Sequence, residues 1–157
     1  MPQILINNII RQLHEIQEGS LWFDQCFKDK IGGLSEAVAI TRPIPQLFSV
    51  AEHVSHMLAW RKECMLRFNG LQTDLMNSAE DWKDNATLQK IGWTALLQRF
   101  YDSTQALIDH MRAHDDSYLE IKFLDTEYNH HYLIEGIIQH DLYHMGQIGV
   151  TLKLIKN

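Results

Sequence analysis

A chain of 157 residues, 45% hydrophobic and 22% charged, fits a single globular domain over residues 1–157 with room for a sizeable core. Its formal net charge of −6 argues against nucleic acid or an anionic membrane surface as a partner, and no apolar run approaches the roughly 18 residues needed to cross a bilayer. Cys26 and Cys64 stand in no paired motif and no signal segment precedes the first amphipathic stretch, which together point to a reducing, cytoplasmic setting.

The first amphipathic stretch runs from about Gln3 to Phe27. Ile6, Ile9, Leu13 and Ile16 recur at the spacing of one helix face, and Trp22, Phe23 and Phe27 extend the pattern. Gly19 lies inside it at some cost in stability, and Gly32-Gly33 marks the exit. His14, at the edge of the stripe, reads as a surface residue. Residues 34–48 form a linker around Arg42-Pro43-Ile44-Pro45, extended by the proline rules. The second helix opens at Ser49, where Ser49-Val50-Ala51-Glu52 has the spacing of a capping box, and it closes at Gly70. The helical wheel puts His53 near the centre of its apolar face and His56 at the flank, one turn before Trp60.

A second linker, residues 71–85, carries Asp81-Trp82 near its end, and the tryptophan suits a lid on a core edge or a pocket wall. The third helix spans about Ala86 to His114 on a period that includes Trp93, Leu97, Phe100 and Met111. His110 and His114 read as solvated groups at its C-terminus. After a third linker the fourth helix runs from about His130 to Ile155, with Asn129 as its N-cap. Gly136, Gly146 and Gly149 within one helix imply close packing against a neighbouring helix or subunit. Four long helices with no strand and no internal repeat predict an all-α four-helix bundle. Linkers of roughly 15 residues allow an order other than up-down-up-down.

The chemistry concentrates in the fourth helix. His140 and His144 are four residues apart, so their rings project from nearly the same face, one turn apart. Two imidazoles so placed can share one metal ion, and a third histidine from a facing helix would complete a three-histidine site. Neutral imidazole suits zinc, nickel, copper and iron. Three protein ligands leave a position open, as in catalytic sites. Cys64 lies too far along its helix from His56 to join that site. Other chemistries lack their signatures: there is no HExxH, no phosphate loop, no dinucleotide fingerprint and no GxSxG. Periodicity alone slightly favours His53 over His56 as the buried one of the two.

Three stretches resemble the DinB-like family. Ser49-Val50-Ala51-Glu52-His53-Val54-Ser55-His56 is similar to its second-helix motif, and Asp81-Trp82 to its acidic-tryptophan element. Gly136-Ile137-Ile138-Gln139-His140-Asp141-Leu142-Tyr143-His144-Met145-Gly146-Gln147-Ile148 resembles its fourth-helix motif. The resemblance implies an up-down-down-up bundle, a homodimer, and a divalent ion, nickel or zinc, held by His56, His140 and His144, with His53 as the fallback ligand. Relatives include thiol transferases or isomerases that use bacillithiol or mycothiol, and others labelled metal-dependent hydrolases. The expected function is a metal-dependent enzyme that activates a small thiol for transfer to an electrophilic substrate, with Trp60 and Trp82 as candidate walls of an apolar pocket. Hydrolysis by metal-activated water is the second reading, disfavoured because no general base is apparent beside the triad. A non-catalytic dimeric bundle with a structural metal is the third. Tyr143 and Gln147 flank the site on the fourth helix as candidate contacts to a ligand or to the histidines.

Overall fold

A computed structural model describes residues 2–156. Seven α-helices are present among them: α1 Ile4–Glu18, α2 Phe27–Ile31, α3 Glu36–Ala39, α4 Val50–Phe68, α5 Asn85–Ile91, α6 Trp93–Arg112 and α7 His130–Lys156. There is no strand among the described residues, only an isolated antiparallel bridge between Lys122 and Asn129. No helix there is long and apolar enough to cross a membrane.

The four long helices, α1, α4, α6 and α7, form the bundle: α1 packs on α6, α6 on α4, α4 on α7, and α7 back on α1. Side-chain pairings give the directions. His53 meets His144 while Cys64 Sγ donates to the Leu133 carbonyl at 3.8 Å, so α4 and α7 are antiparallel. Arg61 reaches Phe100 and Thr104 while Phe68 stacks on His110, so α4 and α6 are parallel. The carboxylate of Asp116, just beyond α6, accepts the backbone N–H groups of Ile4, Leu5 and Ile6. That satisfies the free donors at the start of α1 and lays α1 antiparallel to α6. One continuous core joins them, with Ile6, Phe27, Val54, Phe100, Leu107 and Ile148 fully enclosed.

Several local expectations are corrected. The first helix ends at Glu18, not Phe27: the chain leaves it at Gly19, Asp24 takes a left-handed turn, and Trp22 is wholly exposed. Phe27 returns to the core on a separate short helix, α2. The predicted third helix is two helices divided at Gly92, whose φ of 84° interrupts the helical backbone. A left-handed turn there is open to glycine at no steric cost. His110 and His114 are half-buried instead of fully solvated. Tyr118 touches both, sharing a 2.6 Å hydrogen bond with His110 Nε2 and stacking on His114 at 3.8 Å, with buried His130 alongside. Nor do Gly136 and Gly146 sit against a neighbouring helix: among the described residues nothing lies within 4 Å of a Cβ built on either, and Gly149 meets only Lys30 Nζ at 3.4 Å. The ends of α4 follow the sequence reading. Ser49 Oγ accepts the Glu52 N–H while the Glu52 carboxylate accepts the Ser49 N–H, and Gly70 takes φ 70° just past the last turn.

One polar device runs through the middle of this core. Arg61 on α4 is 2% exposed and donates to Asp141 on α7 through Nε and Nη2, at 3.1 and 2.8 Å. Its Nη1 donates to the Phe100 carbonyl, Ser103 Oγ and Thr104 Oγ1 on α6, and the guanidinium lies 3.9 Å over the Phe100 ring. Burial pushes the Asp141 carboxyl upward and Arg61 opposes the shift. Removing one partner strands the other charge without solvent. Arg61→Leu should therefore cost about 3 kcal/mol in urea unfolding, and the double variant Arg61→Leu, Asp141→Leu far less. Equal losses from single and double variants would mean that packing, not charge, explains the pair. The clamp joins α4 to α7 next to His140, where the candidate site lies.

Candidate metal centre

α4 carries His53 and His56 on successive turns, and α7 carries His140 and His144 in the same way. Because the two helices are antiparallel and in contact, the four rings meet. His56 Nε2 lies 3.0 Å from His140 Nε2, and His144 Nε2 lies 3.1 Å from the same atom. The three rings offer ligand atoms that all lie within 4.8 Å of one another, a group that could hold a metal ion. Ligand nitrogens about 2.05 Å from a tetrahedral ion stand roughly 3.3 Å apart, so the 3.0 and 3.1 Å spacings need open by only a few tenths of an ångström to admit one.

The fourth ring, His53, is not part of that convergence. Its Nδ1 lies 3.1 Å from His144 Nδ1, on the far side of the His144 ring. It is as buried as the wheel predicted, 4% exposed, but so is His56 at 6%. The flank position of His56 is the one that faces His140. His53 thus backs a candidate ligand instead of replacing one.

Hydrogen bonds fix the tautomer of His56. Its Nδ1–H donates to the Asp81 backbone carbonyl at 3.1 Å, and Asp81 Oδ1 lies 2.9 Å from the same nitrogen. Both oxygens only accept, so the proton stays on Nδ1 and the Nε2 lone pair faces the centre. A carboxylate behind a ligand histidine is the usual outer partner at a metal site. Trp60 Nε1–H also donates to Asp81 Oδ1, at 2.8 Å. Trp82 lies flat between two rings, 3.8 Å from His56 and 3.9 Å from Phe48, and so roofs the site.

Burial sets the protonation of these rings. It lowers the pKa of His140 to about 4, aided by the His56 and Arg61 charges. It lowers that of His144 to about 3, aided by the other three histidines, and that of His53 to about 4. His56 is lowered as well, with Asp81 opposing the shift. The rings are therefore neutral near pH 7 and their nitrogens are free to coordinate. With the proton of each ring on Nδ1, three Nε2 lone pairs converge and a cation between them removes their repulsion, so the donor set fits a divalent ion.

A groove opens onto the site. Between α4 and α7 lies a cavity of about 400 Å³, reached by His56 and His140 and continued by Trp60, Cys64, Arg67 and Ile137. Cys64 is buried there and its thiol is pushed up to about 12, so it is not a nucleophile at neutral pH. Tyr143 and Gln147 bond to each other at 3.1 Å, and Tyr143 points largely to solvent.

Sequence reasoning singled out Trp82 as a lid and matched Asp81 only as part of the acidic-tryptophan element. Its partner could not be read locally, since it reaches His56 across 25 residues of chain. Its contribution can be measured. Asp81→Asn keeps the shape but can present its NH2 to His56, which favours the wrong tautomer. Affinity for zinc, followed by competition with a chromophoric chelator, should fall about 10- to 100-fold. Unchanged affinity would leave Asp81 as a packing residue only.

Comparison with known proteins bears on this arrangement. Residues 29–148, a stretch that takes in all four histidines, match the family model described as the DinB superfamily. No curated protein matches the chain.

Proposed function

The chain belongs to the DinB superfamily, and from that premise we propose that it is a metal-dependent enzyme that presents a small thiol to an electrophilic substrate. His56, His140 and His144 hold the ion, nickel or zinc. The observation that carries this reading is the convergence of three neutral Nε2 atoms at the end of an open groove. When bound, such an ion supplies a Lewis acid with an open position, where a soft thiol binds as its thiolate.

The residues around the site have separable tasks. Asp81 orients His56, and His53 backs His144. Trp82 excludes water from one side. The groove walls hold the electrophile against the reacting sulfur. Cys64 is buried, bonded to the Leu133 carbonyl and too basic to compete, so the thiol comes from outside the chain.

Hydrolysis is the weaker reading because it needs a base near the site. Asp81 is engaged by His56 and Trp60, and Glu63 by Arg67 and Thr73. A purely structural ion is disfavoured by the groove that leads to it. The same proposal has the protein as a homodimer joined through the outer face of α7, where Tyr143, Val150 and Leu154 are exposed. Light scattering that gives a monomer at micromolar concentration removes that part.

Cobalt-loaded protein tests the central claim. Low-molecular-weight thiols should produce a sulfur-to-metal charge-transfer band at millimolar concentration or below. If a broad thiol panel leaves the spectrum unchanged, thiol transfer is abandoned.

A further inference from the structure

The groove that ends at the histidines has a second end. On α4 its wall is formed by His56, Trp60 and Arg67, and on the antiparallel α7 by His140, Ile137 and Leu133. The Arg67 guanidinium carbon lies 5.8 Å from the Trp60 ring centroid, itself 6.1 Å from that of His140, so at most about 12 Å separates the fork from the His140 ring. The body between them is mostly apolar, and the exposed side chains of Met76 and Tyr132 form its rim.

Arg67 is built into its position. Its Nε donates to Glu63 Oε1 at 3.0 Å. Glu63 is 2% exposed, and the N–H and hydroxyl of Thr73 also donate to its carboxylate, at 3.2 and 2.6 Å. The guanidinium carbon lies 5.8 Å from the Trp60 ring centroid and 5.7 Å from that of Phe123. The Nε bond and the two rings hold the guanidinium in place. Nη1 and Nη2 make no hydrogen bond to the described residues, which leaves a planar pair of donors at the groove's far end. That pair matches a carboxylate in two-point contact. The two acids that line the groove are already committed, Glu63 here and Asp81 at the histidines, so neither occupies the fork.

We infer that the groove takes an elongated, apolar monocarboxylate whose carboxylate is held by Arg67 and whose other end is delivered to the His56, His140 and His144 site. The delivery half rests on the proposed function above; the carboxylate half does not. Subtracting a metal–sulfur bond of about 2.3 Å and a hydrogen bond of about 2.9 Å from the span leaves about 7 Å, the extended length of a chain of about six carbons. The substrate class is therefore a six-carbon-scale alkyl or aryl-alkyl acid, with its reacting carbon or sulfur remote from the carboxylate.

Calorimetric titration of the full chain with hexanoate and with 1-hexanol tests this, with and without zinc. Hexanoate should bind about tenfold tighter than 1-hexanol, about 1.4 kcal/mol. The variant Arg67→Gln strands the buried Glu63 carboxylate and risks misfolding. The double variant Glu63→Gln, Arg67→Gln removes both charges and keeps the Thr73 contacts. It should bind hexanoate about tenfold more weakly, bind 1-hexanol unchanged and retain zinc. Equal binding of acid and alcohol by the unaltered protein overturns the assignment. So does hexanoate binding that the double variant leaves intact, because the ion or the walls would then be holding it. A chain that discriminates acid from alcohol through Arg67 but fails to take up zinc sustains the carboxylate site and overturns the metal reading alone.

Discussion

Replacing His140 with alanine should abolish stoichiometric zinc or nickel, weakening affinity about 1,000-fold or more, about 4 kcal/mol. His140 is the common point of the centre: its Nε2 is the atom that both His56 and His144 approach, at 3.0 and 3.1 Å. Its removal leaves two rings that no longer share a neighbour. Alanine is the best helix former, so α7 itself loses nothing in propensity. His144→Ala should behave alike. His131→Ala, one ring outside the centre on the same helix, should keep its metal, since His131 pairs only with Glu135. His53→Phe should fall between, about 10- to 100-fold weaker, because His53 touches a ligand's second nitrogen. Elemental analysis after gel filtration reads all four. Full metal content in His140→Ala would place the ion elsewhere.

Acid should unfold the metal-free protein well before it unfolds the loaded one. His53, His140 and His144 hold pKa values of about 4, 4 and 3 in the fold, lowered chiefly by burial. In the unfolded chain each returns to about 6.5. Between those values the unfolded state binds protons that the folded state does not, so stability rises with pH. It is complete above about pH 6.5 and is lost as the pH falls toward 4. Each ring contributes about 1.4 kcal/mol per unit of that window, so the three together lose on the order of 4 kcal/mol per unit. Urea unfolding at pH 7, 6 and 5 measures the slope. A bound ion keeps protons off the same nitrogens, so with zinc the loss should move to lower pH. A metal-free protein equally stable at pH 7 and pH 5 would mean that these rings are not held neutral.

Much of this arrangement is legible in residue order because its signals are local. The capping box at Ser49 and Glu52, the apolar period of α7 and the four-residue step from His140 to His144 each fall within two turns. The choice between His53 and His56 is different. The wheel ranks burial, and both rings are buried; which one faces His140 depends on how α4 rotates against α7. Resemblance to a family selected His56, where periodicity leaned the other way. Nothing local marks Arg61 and Asp141 as buried, because only each other's presence makes their burial tolerable. Gly92 divides a helix without disturbing the apolar period on either side, so no phase shift betrays it. The aromatic surroundings of His110 and His114 come from residues on three other segments, and helix-end reasoning had no access to them.

The candidate ligands are unevenly spread along the chain. His140 and His144 are one turn apart, whereas His56 is 84 residues from His140. An ion can therefore be chelated weakly wherever α7 has formed, with almost no loop to close. Its full hold waits until α4 has docked, a long-range event late in assembly. Contacts completed only after the folding barrier slow unfolding without speeding folding. On the proposed reading, then, the supply of metal sets the lifetime of the folded chain, and two molecules of identical sequence would age at different rates according to whether an ion arrived in time.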